Sequence, residues 1–104
     1  MENHLLVNEV LILPEEKLTV EGDDLSVVAK ALSSETRVKI LKMTSKEDID
    51  VSRIAGRLGQ TEANISAQIK ILENANLLVS RYEPGQHGVR KICTTHVKTV
   101  IFNL

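Results

Sequence analysis

Only one cysteine, Cys93, occurs in the 104 residues. No intrachain disulfide can form, and a reducing, cytoplasmic setting is expected. No apolar run reaches the roughly 20 residues that a bilayer-spanning helix needs, so no membrane association is expected. The opening MENHLLVNEVLIL is apolar, but it carries an early acid, has no basic head and is broken by Asn8 and Glu9. It does not read as a signal peptide. Catalytic groupings are also missing. No nucleophile sits beside a base, no glycine-rich phosphate loop is present, and no His is grouped with carboxylates; the expectation is that the protein is not an enzyme. His4, His87 and His96 are dispersed, without the spacing that puts two ligands on one helical face. Neither a metal nor another cofactor is expected. Surplus positive charge is absent too, with 13 Lys and Arg against 14 Asp and Glu and a net charge of -1. Taken alone, this balance opposes nucleic-acid binding, because phosphates are neutralised by excess Lys and Arg.

The charge that is present is unevenly placed. Residues 1–24 hold seven acids against Lys17 alone, whereas residues 25–104 carry twelve bases and seven acids. A length of 104 residues suits one domain with a core of its own. We read residues 1–24 as an acidic segment with short strands, 25–94 as the main domain, and 95–104 as a C-terminal strand that can serve as a dimer contact.

The main domain is organised around residues 51–78, VSRIAGRLGQTEANISAQIKILENANLL. Val51, Ile54, Ala55 and Leu58 recur at helical spacing behind Asp50, a good N-cap, and Gly59 supplies a left-handed stop. Thr61 can cap a second helix that runs over 61–74, with Ile65, Ile69, Leu72 and Ala75 on its inner face. Its outer face, Glu62, Ala63, Asn64, Ser66, Ala67, Gln68 and Lys70, is small or polar. Two short helices around a glycine-containing turn, the second leading with hydrogen-bonding side chains, form a helix-turn-helix. An ordinary helical hairpin with a solvated face is the alternative.

Along the rest of the chain, residues 10–13 and 18–20 read as short strands around a turn at Pro14. Asp23 or Asp24 is placed to cap a helix over 25–32 with Leu25, Val28, Ala29 and Leu32 inside. Ser34 opens another helix to about Met43, its apolar set Val38, Ile40, Leu41 and Met43, with Arg37, Lys39 and Lys42 mostly outward. A polar loop at 44–48 and a very short strand at 49–51 lead into the motif. An Asn of Asn74-Ala75-Asn76 ends the second motif helix in the left-handed conformation. Residues 77–83 and 89–94 then form a β-hairpin around a loop at 84–88, which is the position of a wing. The β-branched end, 97–104, favours a strand, paired with 10–13 of the same or another subunit. The fold class expected is mainly α with a small β component (α+β), a winged helix-turn-helix with a hairpin wing and short terminal strands.

The run LSVVAKALSSETRVKILKM, then DVSRIAGRLGQTEANISAQIKILENANLL, then a glycine-containing hairpin, resembles the ArsR-type winged-helix transcriptional regulators over about residues 25–94. The specific pieces are Ala31 to Arg37 running into Ile40-Leu41, Ile54-Ala55 with Leu58-Gly59, and Ile65-Ser66 with Ile69-Lys70 and Leu72. The resemblance implies a homodimer that binds a palindromic operator, commonly as a repressor released by a ligand. It places the DNA-reading helix at 61–74, with Thr61, Glu62, Ala63, Asn64, Ser66, Ala67 and Gln68 leading, and the wing at 81–91. The family's thiolate metal sites need cysteines that helix 34–43 lacks, so the resemblance is to a branch without them.

Double-stranded DNA is therefore the expected partner, with a sequence-specific transcriptional regulator as the expected function. Asn64 and Gln68 are candidates for reading base edges, adenine being the natural mate of either. Ser66, Lys70, Arg53 and Arg57 are candidates for phosphate contacts; Arg81, Arg90 and Lys91 are expected near the hairpin loop, where they can meet phosphates, Arg90 and Lys91 anchoring the wing, and His87 is a candidate for a contact at its tip. Charges on a hairpin edge can instead serve to block aggregation. The other functional reading is a winged helix used for protein–protein contact with no specific DNA target, motivated by the acidic segment and the near-neutral charge. The effector has no signature in the sequence. Cys93, in an alternating apolar strand, reads as buried and inert rather than as a redox switch.

Overall fold

Helix α4 (Glu62–Asn74) turns Ile65, Ile69 and Leu72 wholly inward, and the other elements pack around that stripe. The computed structural model describes residues 16–104. In chain order the elements are β1 (Lys17–Val20), α1 (Asp24–Ala31), α2 (Glu35–Lys46), β2 (Ile49–Asp50), α3 (Val51–Leu58), α4, β3 (Val79–Gly85), β4 (Gly88–Thr94) and β5 (Thr99–Phe102). The architecture is the expected α+β winged helix-turn-helix. Val28 and Ala31 of α1, Ile40 of α2, Ile54 and Ala55 of α3, and Leu77, Leu78 and Cys93 around the hairpin complete the core.

Local chemistry sets the helix ends. Ser34 accepts from the Arg37 N–H at 3.2 Å, Asp50 from the Arg53 N–H at 2.8 Å and Thr61 from the Asn64 N–H at 3.1 Å, each satisfying an orphan donor of a first turn. Gly59, at φ 65°, closes α3, and Asn76, at φ 61°, turns the chain out of α4. Asp23 stands at the N-cap of α1 but makes no side-chain cap, because it already has helical dihedrals.

Several boundaries and faces differ from expectation. Ala29 is exposed and Ala31 is buried in its place, so the inner face of α1 is Val28 and Ala31 flanked by half-buried Leu25 and Leu32. Helix α2 runs on to Lys46 instead of yielding to a loop after Met43. Thr44 explains this: its hydroxyl donates back to the Ile40 carbonyl at 2.8 Å, and it is buried against the Thr95 hydroxyl. Leu77 and Leu78, expected to begin the hairpin, are core residues that precede β3. The expected five-residue loop shrinks to Gln86-His87, because pairing continues through Pro84↔Val89 to Gly85↔Gly88.

Two small sheets result. One is antiparallel in the order β2-β4-β3, with Ile49↔Cys93 and Arg81↔Ile92 in register; the other pairs β1 with β5 in parallel, Leu18 against Val100 and Val20 against Phe102. The C-terminal strand therefore pairs with 17–20; the strand expected at 10–13 lies outside the described residues. A backbone bond from Thr95 N–H to the Thr44 carbonyl at 3.0 Å fastens the start of the C-terminal segment to α2.

Burial decides what each isoleucine of α4 contributes. Ile69 is 0% exposed and Ile71 is 39% exposed. Ile69→Ala should lower unfolding stability by about 2–5 kcal/mol, the range for emptying a packed site, and Ile71→Ala by about 0.5 kcal/mol. Urea midpoints at unchanged slope measure both; similar losses would contradict the packing described.

Candidate nucleic-acid interface

The N-terminal half of α4 presents Thr61, Glu62, Ala63, Asn64, Ser66 and Ala67 to solvent, while Ile65 alone points in. Beside it the wing projects, and a concave groove opens between them, with Ser52 and Arg53 of α3, Glu62 and Ser66 of α4, and the wing residues 84–91 on its walls. Glu62, Ser66, Arg53, His87, Arg90 and Lys91 thus come together around one concavity. The groove is flanked by a helix that offers amides and hydroxyls and by a hairpin whose tip, Gln86-His87, is exposed.

The wing is held by one carboxylate. Asp50, 7% exposed, caps α3 through one oxygen and through the other accepts from the Arg90 guanidinium, Nη2 at 2.8 Å and Nε at 3.1 Å. Burial on its own pushes the Asp50 carboxyl up, but the Arg53 N–H and the Arg90 guanidinium outweigh it and hold the group below its ordinary value. The stem of Arg90 lies over Gly85, where an added Cβ would come within 2.6 Å of the Arg90 Cγ. A side chain at position 85 would displace the Arg90 stem from its present course.

The remaining candidate cations are also tied down. Lys91 is 3.2 Å from Glu73 and lies over the Tyr82 ring, 5.9 Å from its centroid. Arg57, one turn beyond Arg53 on α3, is 3.0 Å from Glu47 and does not line the groove. Arg81, expected near the hairpin loop, sits at the wing's root opposite Ile92. Strand pairing carries it away from the tip, and it bridges Asp48 at 2.7 Å and Glu83 at 2.8 Å. The Thr94 hydroxyl and then Arg81 hold the Asp48 carboxyl below its ordinary value. By contrast, Arg53 and Lys70 are exposed and have no ion-pair partner among the described residues.

Two features escaped the sequence reading. Arg37, expected outward, turns back across the α1–α2 junction: its guanidinium donates to the Ala31 and Lys30 carbonyls at 2.9 Å each and to Gln68 Oε1 at 2.6 Å. Gln68 is in consequence half-buried rather than on the open face. Gln60, in the turn of the motif, bonds to both Asn64 and Thr36. The signal available in sequence was only the i, i+4 spacing of Gln60, Asn64 and Gln68; that Arg37 meets them depends on how α2 crosses α4. Cys93 is fully buried, and burial pushes its thiol up, as suits an inert core position. No group of three or more His, Cys, Asp or Glu able to hold a metal ion occurs among the described residues.

Compared with known proteins, residues 34–80, which span α2 to the start of β3, match the family model for a bacterial regulatory protein of the arsR family. The match takes in the helix-turn-helix and α2, a little under half of the chain. Among solved structures, the homodimeric winged helix-turn-helix DNA-binding domain of a possible ArsR-family transcriptional regulator from Mycobacterium bovis is 26% identical, with a TM-score of 0.62 over 71% of this chain and 65% of that one. The present chain thus spans a little under two thirds of that relative's length. An ArsR-like transcriptional regulator from Rhodococcus sp. RHA1 is 29% identical, with a TM-score of 0.55 over 65% of this chain and 61% of its own. HlyU from Vibrio cholerae, 24% identical, shares the fold at a TM-score of 0.59 over 69% of this chain and 74% of its own. No curated protein sequence matches the chain.

In this winged helix the Asp50–Arg90 pair sets a pH dependence. A carboxyl held below its ordinary value stabilises the fold at pH above the unfolded value, about 3.9, and that stabilisation is lost as pH falls through the folded value. Asp50→Asn keeps a capping oxygen and loses the ion pair. It should cost about 1–2 kcal/mol at neutral pH, as for a charge-assisted bond. The gap from wild type should begin to narrow below about pH 4 and close as pH falls through the lower folded value; a gap independent of pH in urea titrations would contradict this role.

Proposed function

We propose that this protein is a DNA-binding transcriptional regulator that sets α4 in a major groove and the wing against the neighbouring backbone. The observation that carries the reading is the exposed, hydrogen-bonding leading face of α4 beside the wing. Asn64 reads a base edge from the open face, with half-buried Gln68 behind it offering its remaining donor and acceptor; Thr61, Glu62 and Ser66 border them, and Arg53 and Lys70 meet phosphates. Arg90 and Lys91 act by holding the wing in place, with His87 at its tip, while Arg57 and Arg81 reach DNA only by leaving their carboxylate partners. The Mycobacterium bovis relative, described as a homodimeric DNA-binding domain, supports a DNA-bound dimer here; the two-fold symmetry of such a dimer suits a palindromic operator, and we propose that it acts as a repressor. No cofactor is required for this reading.

The dimer contact proposed is the terminal ribbon, where Ile101 is 37%, Phe102 40% and Leu104 107% exposed, together with Val27 of α1. A protein–protein role is the second reading, favoured by the carboxylates that already occupy Arg57, Arg81, Arg90 and Lys91.

Fluorescence polarisation on a pool of random duplexes, followed by selection of the retained sequences, tests the first reading. It predicts a two-fold symmetric motif and an affinity that falls steeply between low and moderate salt. Asn64→Ala should cost about 1–3 kcal/mol on the selected site and relax preference at one base of each half. Failure to retain any duplex at low salt would favour the protein–protein role. Phe102→Glu should leave a folded monomer in sedimentation and weaken operator binding; an intact dimer would remove the ribbon from the interface.

A further inference from the structure

Across the outer face of α4 runs an unbroken chain of side-chain hydrogen bonds. The Arg37 Nη1 donates to Gln68 Oε1 at 2.6 Å, and Gln68 Nε2 donates to Asn64 Oδ1 at 3.2 Å. Asn64 Nδ2 in turn donates to Gln60 Oε1, and Gln60 Nε2 donates to the Thr36 hydroxyl at 3.3 Å. Three amides in a row have two self-consistent arrangements, related by flipping all of them together, since each carries both an acceptor and a donor end. Thr36 at the far end does not choose between them, because a hydroxyl accepts or donates equally well. Arg37 does choose. A guanidinium has donors only, so the flipped chain would aim the Gln68 NH2 at N–H groups. The guanidinium is itself fixed by the Lys30 and Ala31 carbonyls at the end of α1, so it cannot turn aside without giving up both bonds.

We infer that Arg37 is a positioning residue for base recognition: it sets the polarity of the Gln68–Asn64–Gln60 amide chain, and so sets which donor and acceptor α4 offers to a base edge. This rests on the DNA-binding reading proposed above. In the set polarity Asn64 uses one N–H on Gln60 and one oxygen lone pair on Gln68, which leaves one N–H and one lone pair. Gln68 is left with the same complement after Arg37 and Asn64. One donor with one acceptor is the set that matches adenine N7 and N6 in the major groove. The amides meet DNA already oriented, and the side-chain entropy of ordering them is largely met before binding. Arg37 affects which base is preferred without touching one.

Two measurements test this, and they fail separately. In the DNA-free protein, the Asn64 side-chain NH2 should show an order parameter near the rigid limit of about 0.85, falling below about 0.6 in Arg37→Met. Gln68→Glu keeps the acceptor for Arg37 but offers Asn64 only an acceptor, so Asn64 and Gln60 should turn round together: the Asn64 amide stays ordered and its NH2 contacts in nuclear Overhauser spectra move from Gln60 to residue 68. An Asn64 amide equally mobile in wild type and Arg37→Met, or one that keeps its orientation in Gln68→Glu, overturns the inference whatever the protein binds. On the selected operator, Arg37→Met should reduce adenine preference at the Asn64-contacted position roughly tenfold, within the range of one bidentate contact. In an Asn64→Ala background it should change that preference no further. If Arg37→Met weakens all sequences alike and leaves the preference intact, Arg37 is a structural tie only and the inference fails. Absence of DNA binding by the wild-type protein would defeat the proposed function, and with it base recognition by α4, while the relaxation data would still report the chain itself.

Discussion

The wing depends on one buried carboxylate. Asp50 lies where β2 ends and α3 begins, and its two oxygens face different parts of the domain, one the first turn of α3 and the other the guanidinium of Arg90 on β4. β2 is only two residues long, and its register with β4 pairs Asp50 with Ile92. So short a ladder holds a projecting hairpin poorly by backbone bonds alone. The charge-assisted pair adds a tie between β4 and the start of α3, and the Arg90 stem that makes it lies against Gly85. The angle between wing and α4, and with it the groove between them, follows from this arrangement.

Charge satisfaction shapes the candidate surface more than charge count does. Four of the basic residues named from sequence, Arg57, Arg81, Arg90 and Lys91, stand against carboxylates of their own chain. An ion pair on the surface is worth little to stability, yet it decides where a long side chain spends its time. What is left facing outward beside the groove is Arg53, Lys70 and a helix face of amides and hydroxyls. Such a face discriminates by hydrogen-bond pattern rather than by bulk attraction to phosphate. The near-neutral net charge, which first argued against a nucleic-acid partner, is compatible with a reader of this kind.

Legibility varied with the range of the interaction. Caps at Ser34, Asp50 and Thr61, the left-handed stops at Gly59 and Asn76, and the inner stripe Ile65, Ile69 and Leu72 were all readable, because each depends on residues within about one helical turn. The errors came where a distant residue intervened. Thr44 stays helical because Thr95 meets it 51 residues later, and Ala31 displaces Ala29 from the core because of how α1 settles on its neighbours. Arg37 looked like one more basic residue on an amphipathic helix, and only the crossing of α2 and α4 turns it into the donor that orients Gln68.

By itself the sequence determined the kinds and order of elements, the two motif helices with their caps and turn, and the hairpin after them. Hydrophobic period and turn chemistry are local properties that a chain carries wherever it folds. Tertiary structure decided which charges remain available and which are bound, where along the wing each basic residue falls, and that the C-terminal strand pairs in parallel with 17–20. It also decided that the polar face of α4 is a connected chain of amides with one polarity. Those outcomes depend on partners that are not neighbours in sequence, as Arg37 meets Gln68 across 31 residues and Thr94 meets Asp48 across 46. Local periodicity carries no record of such meetings, since only packing brings the partners together.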